Sequence, residues 1–393
     1  MKGVPAMRWA YWLVLAGACA TVLALNWPGH FSWDSVSALH EGRFHVRETW
    51  NPAIYGWLLG VVDRITPNAA GMVALSAAIL FGSWAALALL RPRGSWLAPI
   101  VALAAAALPQ VLIYPAIVWK DILFAETTIA GFVVLALGAR RAGERTPWAA
   151  LVAASVLFAV AGLLRQNGLI LAGAAAVALL WVGRRAGARR SFAVAGGWLV
   201  AVAALTLVFS ATLRPQGIGA PDNAGQKGLR LLWTYDVVAA MALQPGRPMP
   251  IVDKAEPAAA QVIHTRAVPV YTPERVDTIT FNPDVVAAFK AVPRDQIRQE
   301  WVALVTHDPG LYLQARAAAF RQVFTTPVID HCLPVHLGVE GPAEILKSLN
   351  MPFRDDRRDE RLYNYVTWFL DTPAMSHVPY AIIALLAAGF LLI

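Results

Sequence analysis

Four polar clusters interrupt a strongly apolar chain, and each contains groups able to do acid, base or anion chemistry. The first is Ser32-Trp33-Asp34-Ser35. A carboxylate beside a rigid aromatic can take a proton from an attacking hydroxyl, which makes Asp34 the candidate general base; the competing expectation is a helix cap for a segment starting near Ser35. The second is Trp119-Lys120-Asp121, where Lys120 offers a cation to an anionic ligand and Asp121 suits the positive end of a helix dipole. The third is the turn Arg165-Gln166-Asn167-Gly168, whose guanidinium can hold a phosphate through two parallel hydrogen bonds. The fourth runs from Arg43 to Tyr55 and includes His45, Arg47, Glu48, Trp50, Asn51 and Pro52. Trp33, Trp50, Asn51, Asp121, Gln166 and Asn167 are the candidate groove residues around Asp34, Lys120 and Arg165.

The elements that must position these groups are apolar runs. Of 393 residues, 58% are hydrophobic and 15% charged, and the mean hydropathy is +0.52. Soluble domains carry roughly 25% charged residues, so a soluble globular fold is excluded, as are disorder and coiled coil. Runs of bilayer length fall near 9–27, 70–90, 96–113, 121–139, 148–164, 168–183, 192–212 and 377–393, which predicts an all-α polytopic membrane protein of about eight helices. The run 54–62 is too short to cross and reads as an interfacial helix. The domain expectation is a core 1–212 with a first outer loop 28–69, a mostly helical extracytoplasmic region 213–376, and a last helix 377–393. Within 213–376, helices are expected near 226–243, 295–305 and 309–324, with a strand signal at Val262–Val270.

The net charge of +8 arises from Arg clusters between the runs, so it reports topology and gives no support to nucleic-acid binding. Lys2 and Arg8, then Arg91 and Arg93, then Arg140, Arg141 and Arg145, then Arg184, Arg185, Arg189 and Arg190 occupy alternate connectors. Placing those inside puts all four polar clusters outside, and Arg165 then departs from the positive-inside bias. The first run has signal-peptide features, Lys2, Arg8 and the small residues around Ala16 to Ala20, but stays apolar through Leu25 and is read as a span.

Other motifs are weak. His307-Asp308, Asp330-His331 and His336 follow no zinc spacing. Arg354 to Arg361, interleaved with Asp355, Asp356, Asp359 and Glu360, reads as a solvated face. No P-loop, dinucleotide-binding glycine pattern or C-x-x-C pair occurs, and Cys19 and Cys332 are too separated to predict a disulfide.

In order and sidedness these residues resemble the GT-C class of integral membrane glycosyltransferases, in its bacterial polyprenyl-phosphate-sugar-dependent branch. That class carries an acidic residue in the first extracytoplasmic loop, as Asp34 stands here. Trp50-Asn51-Pro52, Lys120-Asp121, Arg165-Gln166-Asn167-Gly168 and His307-Asp308-Pro309 resemble further elements of some branches, although Asn51 stands where such relatives often carry His. The resemblance implies an inverting transfer of a sugar from a polyprenyl-phosphate donor to a lipid or polysaccharide acceptor of the cell envelope, outside a bacterial inner membrane. It implies Asp34 as base and Lys120 and Arg165 as donor-phosphate ligands. The Asp-x-Asp pattern of metal-using branches is absent around Asp34; no cofactor or metal ligand is assigned, and divalent metal dependence stays open. The alternative expectation is a polytopic transporter or lipid flippase without glycosyl transfer.

Overall fold

The computed structural model describes residues 3–49, 51–90, 95–141, 147–165, 168–184, 187–214, 224–275, 278–325 and 334–392. It is helical, and among the described residues the only β pairing is three isolated bridges, His30 with Ile117, Phe31 with Val339, and Val339 with Arg354. Cα packing divides the chain into two units, one of residues 1–222 and 336–365 and one of residues 223–335 and 366–393.

The first unit opens with α1 (Gly3–Asn26), α2 (Trp33–Phe44), α3 (Ala53–Asp63), α4 (Gly71–Leu87) and α5 (Leu97–Ala106). It continues through α6 (Pro109–Leu112), α7 (Lys120–Arg141), α8 (Trp148–Leu164), α9 (Gly168–Gly183) and α10 (Ala188–Thr212). Among the described residues, four stretches are long and apolar enough to cross a membrane: Met7–Asn26, Pro67–Leu87, Lys120–Arg140 and Ala188–Thr212. A fifth crossing exists if Leu97–Ala106 and Pro109–Ala116, bent by 81°, count as one. Pro109 explains the bend, because Leu108 takes the extended conformation imposed on a residue before proline (φ −76, ψ 142).

Four or five of the eight spans expected from hydropathy thus have described helices of crossing length. Of the expected runs, Trp148–Leu164 has 17 residues and Gly168–Gly183 and His377–Leu392 have 16 each. These described helices are shorter than the roughly 20 residues typical of a crossing.

The spans are tied where side chains find carbonyls. Tyr11 Oη donates to the Trp84 carbonyl (2.8 Å) and Trp12 Nε1 to that of Ala85 (3.1 Å), joining α1 to α4. Trp198 Nε1 donates to the Leu151 carbonyl (3.1 Å), joining α10 to α8. Glu126 of α7 is buried and accepts from Ser76 Oγ of α4 at 2.6 and 2.7 Å. Ile170, Val200 and Leu207 are exposed on α9 and α10, an arrangement that suits lipid and not water.

The second unit begins with α11 (Ala224–Leu243), α12 (Pro250–Ala255), α13 (Pro257–Val262), α14 (Pro283–Ala291), α15 (Arg294–His307) and α16 (Pro309–Phe324). The strand signal at Val262–Val270 is overturned: these residues form the end of α13, a π turn Ile263–Ala267 and a 3-10 turn Val268–Val270. Their apolar side chains serve a helical core in which Ile263 and Ala267 pack with Val238, Met249, Val252, Ile279 and Val285.

The two compact units divide the chain differently from the expected segment 213–376. Residues 336–365, with α17 (Ala343–Ser348) and most of α18 (Arg357–Thr367), belong to the first unit, and α19 (His377–Leu392) belongs to the second with α16. Backbone bridging through Val339 is the cause. Phe31 N–H donates to the Gly338 carbonyl, and Glu340 N–H to the Phe31 carbonyl, each at 2.9 Å.

Candidate functional site

The segment between α1 and α2 is the spine of the site. His30 N–H donates to the Ala116 carbonyl (2.9 Å), and the His30 carbonyl accepts from Val118 N–H (2.9 Å). This pairs residues 30–32 with the turn that enters α7, and three side chains reinforce it. Ser35 Oγ and Tyr55 Oη (2.6 Å) both donate to the Val118 carbonyl, while Trp119 Nε1 donates to Ser32 Oγ (2.9 Å). The head of α7 is thereby held against the head of α2, which brings Lys120 to Asp34.

Asp34 lies in the first turn of α2, and the N-cap position belongs to Ser32, so the cap expectation is not met. Lys120 Nζ donates to Asp34 Oδ2 (3.0 Å) and to Asn51 Oδ1 (3.1 Å). The two ends differ in exposure: the Lys120 side chain is 8% exposed and that of Asp34 45%. A buried ammonium is retained only when its donors are satisfied, so Lys120 acts chiefly as a brace for the carboxylate, which keeps an open side.

Asn51 is 1% exposed and closes the arrangement. Its Nδ2 donates to the Asp34 carbonyl (3.2 Å), and its own carbonyl accepts from Arg47 Nη2 (3.0 Å). An amide can accept from an ammonium and donate to a carbonyl at once, which accounts for Asn at this position. Burial pushes the Tyr55 phenol above its ordinary range, and the Asp34 and Asp121 carboxylates push it the same way, so it stays a neutral donor.

Arg165, at the C-terminal end of α8, pairs through Nε with Asp121 Oδ1 of α7, and the two side chains are 48% and 40% exposed. The contact is an ion pair of two half-exposed side chains. Lys120 and Asp121 are chain neighbours, so the two ion pairs adjoin. Trp33 is exposed and donates to Glu340 Oε1 (3.3 Å). Trp50, Gln166 and Asn167 lie outside the described residues.

Several parts of the site have no counterpart in the sequence expectations. Glu41 is fully buried and accepts from Arg47 Nη1 and from the Glu48 (2.8 Å) and Thr49 (2.5 Å) amides, shaping the loop that delivers Asn51. Gly56 and Gly60, a G-x-x-x-G pair on α3, meet Gly42 of α2. The run 354–361 is not a solvated face throughout, because Asp359 is 1% exposed and paired with Arg354 (3.0 Å). His336 bonds the Phe31 carbonyl (2.9 Å). No cluster of metal-ligating side chains occurs among the described residues, and Asp330 and His331 lie outside them.

His30, buried at the centre of this spine, carries a pH dependence. Its Nδ1 accepts from Gly338 N–H (3.0 Å), which leaves Nε2–H to donate to Asn26 Oδ1 (3.0 Å). Asp359 Oδ1 is 3.5 Å from Nδ1, but the ring is neutral: burial, then the charges of Arg354 and Arg358, lower its pKa to about 3. A folded pKa below the unfolded value of about 6.5 means that the unfolded chain binds the extra proton. Stability is therefore flat above about pH 6.5 and falls below it by up to ~1.4 kcal/mol per pH unit. His336, also lowered by burial, adds in the same direction. Thermal unfolding between about pH 5 and 7 should show this slope, reduced in His30→Asn; an unchanged slope in that variant would contradict the assignment.

Comparison with protein-family models, curated proteins and solved structures finds no match to this chain. Fold and site define a helical protein suited to membrane insertion, with a braced carboxylate and two basic side chains gathered at the head of one apolar helix.

Proposed function

We propose that this chain is a GT-C-like membrane glycosyltransferase that moves a sugar from a polyprenyl-phosphate carrier to a lipid or polysaccharide acceptor. The site would face outside a bacterial inner membrane, as the alternation of basic connectors suggests. The observation that carries the reading is the pairing of Asp34 with Lys120: a half-open carboxylate held at 3.0 Å by a buried ammonium, at the first turn of a span.

In this mechanism the open Asp34 oxygen takes the acceptor hydroxyl proton as the hydroxyl oxygen of the acceptor bonds to the anomeric carbon. The bond from that carbon to the phosphate oxygen breaks, and polyprenyl phosphate leaves with the electron pair. Direct displacement inverts the anomeric centre. Lys120 orients Asp34, and Arg165, exposed enough to exchange Asp121 for a ligand, stabilises the charge that grows on the phosphate. A membrane donor accounts for basic side chains at the head of a span, where ionisable groups are costly unless they serve a ligand.

The test uses the purified full chain in sealed proteoliposomes with a panel of farnesyl-phosphate hexoses and pentoses labelled in the sugar, together with envelope glycolipid acceptors. Label should pass to acceptor with inverted anomeric configuration. Label that stays on the donor across the panel while the donor crosses between leaflets would instead establish a flippase.

A further inference from the structure

At the other end of α2 from Asp34 lies an open cleft of about 330 Å³. It is lined by His45, Trp57, Arg64, Thr212 and Arg214, and its floor is the glycine contact of Gly42 and Gly60. Trp57 and Arg64 belong to α3 and its C-terminal cap, His45 caps α2, and Thr212 and Arg214 lie at the end of α10. Three elements thus direct cationic and aromatic residues to one space.

The two guanidiniums differ from their neighbours in what faces them. Arg43 is held bidentately by Asp63 (2.6 Å on each oxygen), and Arg47 by Glu41. Asp63, next to Arg64 in the chain, is thereby committed to Arg43. Arg64 donates to His45 Nε2 (3.0 Å), a neutral acceptor, and neither Arg64 nor Arg214 has a carboxylate partner among the described residues. Two like charges converging on one cleft without an acid repel each other, and a bound anion removes that cost. Guanidiniums match phosphate oxygens in pairs, and Trp57 supplies an apolar face beside them.

The geometry points to a second anion site, in which Arg64 and Arg214 together bind a phosphate or diphosphate group in the cleft between α2, α3 and the end of α10. The inference is independent of glycosyl transfer, since its test reads binding alone. The phosphate could belong to a soluble molecule or to a lipid headgroup, and the two probes separate these.

The full chain in neutral detergent is titrated by calorimetry with inorganic pyrophosphate and with farnesyl phosphate, in an Arg165→Gln background that removes the exposed guanidinium beside Asp34. Binding of both probes with equal affinity supports a site for the headgroup alone; tighter binding of farnesyl phosphate supports a lipid source. Each of Arg64→Gln and Arg214→Gln should weaken binding about tenfold, from loss of one charge-assisted contact. The Arg64→Lys/Arg214→Lys pair should retain part of the affinity with an unchanged melting temperature, which separates lost binding from lost folding. Absence of binding by both probes, or the same affinity in the Arg64→Gln/Arg214→Gln double variant, overturns the proposal.

Discussion

Asp34→Asn is expected to lower sugar transfer by about 10² to 10⁴-fold, the usual contribution of a positioned base, while the protein keeps its fold. The amide preserves shape and can still contact Lys120, but it cannot accept the acceptor's proton. Asp34 is half open and Lys120 is buried with a second partner in Asn51, so the change leaves the ammonium partly satisfied. Lys120→Met should behave differently. It removes the brace from Asp34 and strands Asn51 Oδ1 in a buried place, a cost of about 1–3 kcal/mol for an unsatisfied polar group. Initial rates and melting temperatures of the two variants separate the roles: the Asn variant loses rate alone, and the Met variant loses both. Full activity in Asp34→Asn would remove Asp34 from the chemistry.

Gly42→Ala carries the largest expected effect on stability. A Cβ at position 42 would collide with the Gly56 carbonyl oxygen and stand 2.7 Å from the Gly60 amide nitrogen, both backbone atoms of α3. No rotamer can relieve contact with backbone, so α2 and α3 must separate, and overpacking of this kind costs about 1–3 kcal/mol or more. The separation would also loosen Asn51, because the loop joining the helices is the one shaped by Glu41. Melting temperature and transfer rate should therefore fall together. A variant with wild-type melting temperature would show that the helices do not approach as closely as described.

Asp34, Lys120 and Arg165 were legible as candidates because charged residues at the ends of apolar runs are few and expensive. Their pairings were not. Lys120 meets Asp34 through backbone bonds of His30 to residues 116–118, a contact across more than eighty positions with no local sequence signal. Helices at 226–243, 295–305 and 309–324 followed from apolar periodicity and recur as α11, α15 and α16. Val262–Val270 misled because β-branched residues favour strands only where a pleated partner exists, and here the partner is a helical core. Asp359 looked solvated because its neighbours carry mixed charge, yet Arg354 and the His30 spine bury it. Gly56 and Gly60 carry no weight in the sequence reading, because only the facing Gly42, on another helix, gives their spacing meaning.

The central claim, that the braced Asp34 serves cleavage of a lipid-phosphate sugar, is tested most directly by phosphorus NMR of proteoliposomes carrying a farnesyl-phosphate sugar and acceptor. The wild-type chain should convert the donor phosphodiester to farnesyl phosphate, and Asp34→Asn should do so at least about 100-fold more slowly. Equal conversion by both proteins, or none by the wild type with any donor of the panel, would contradict the account.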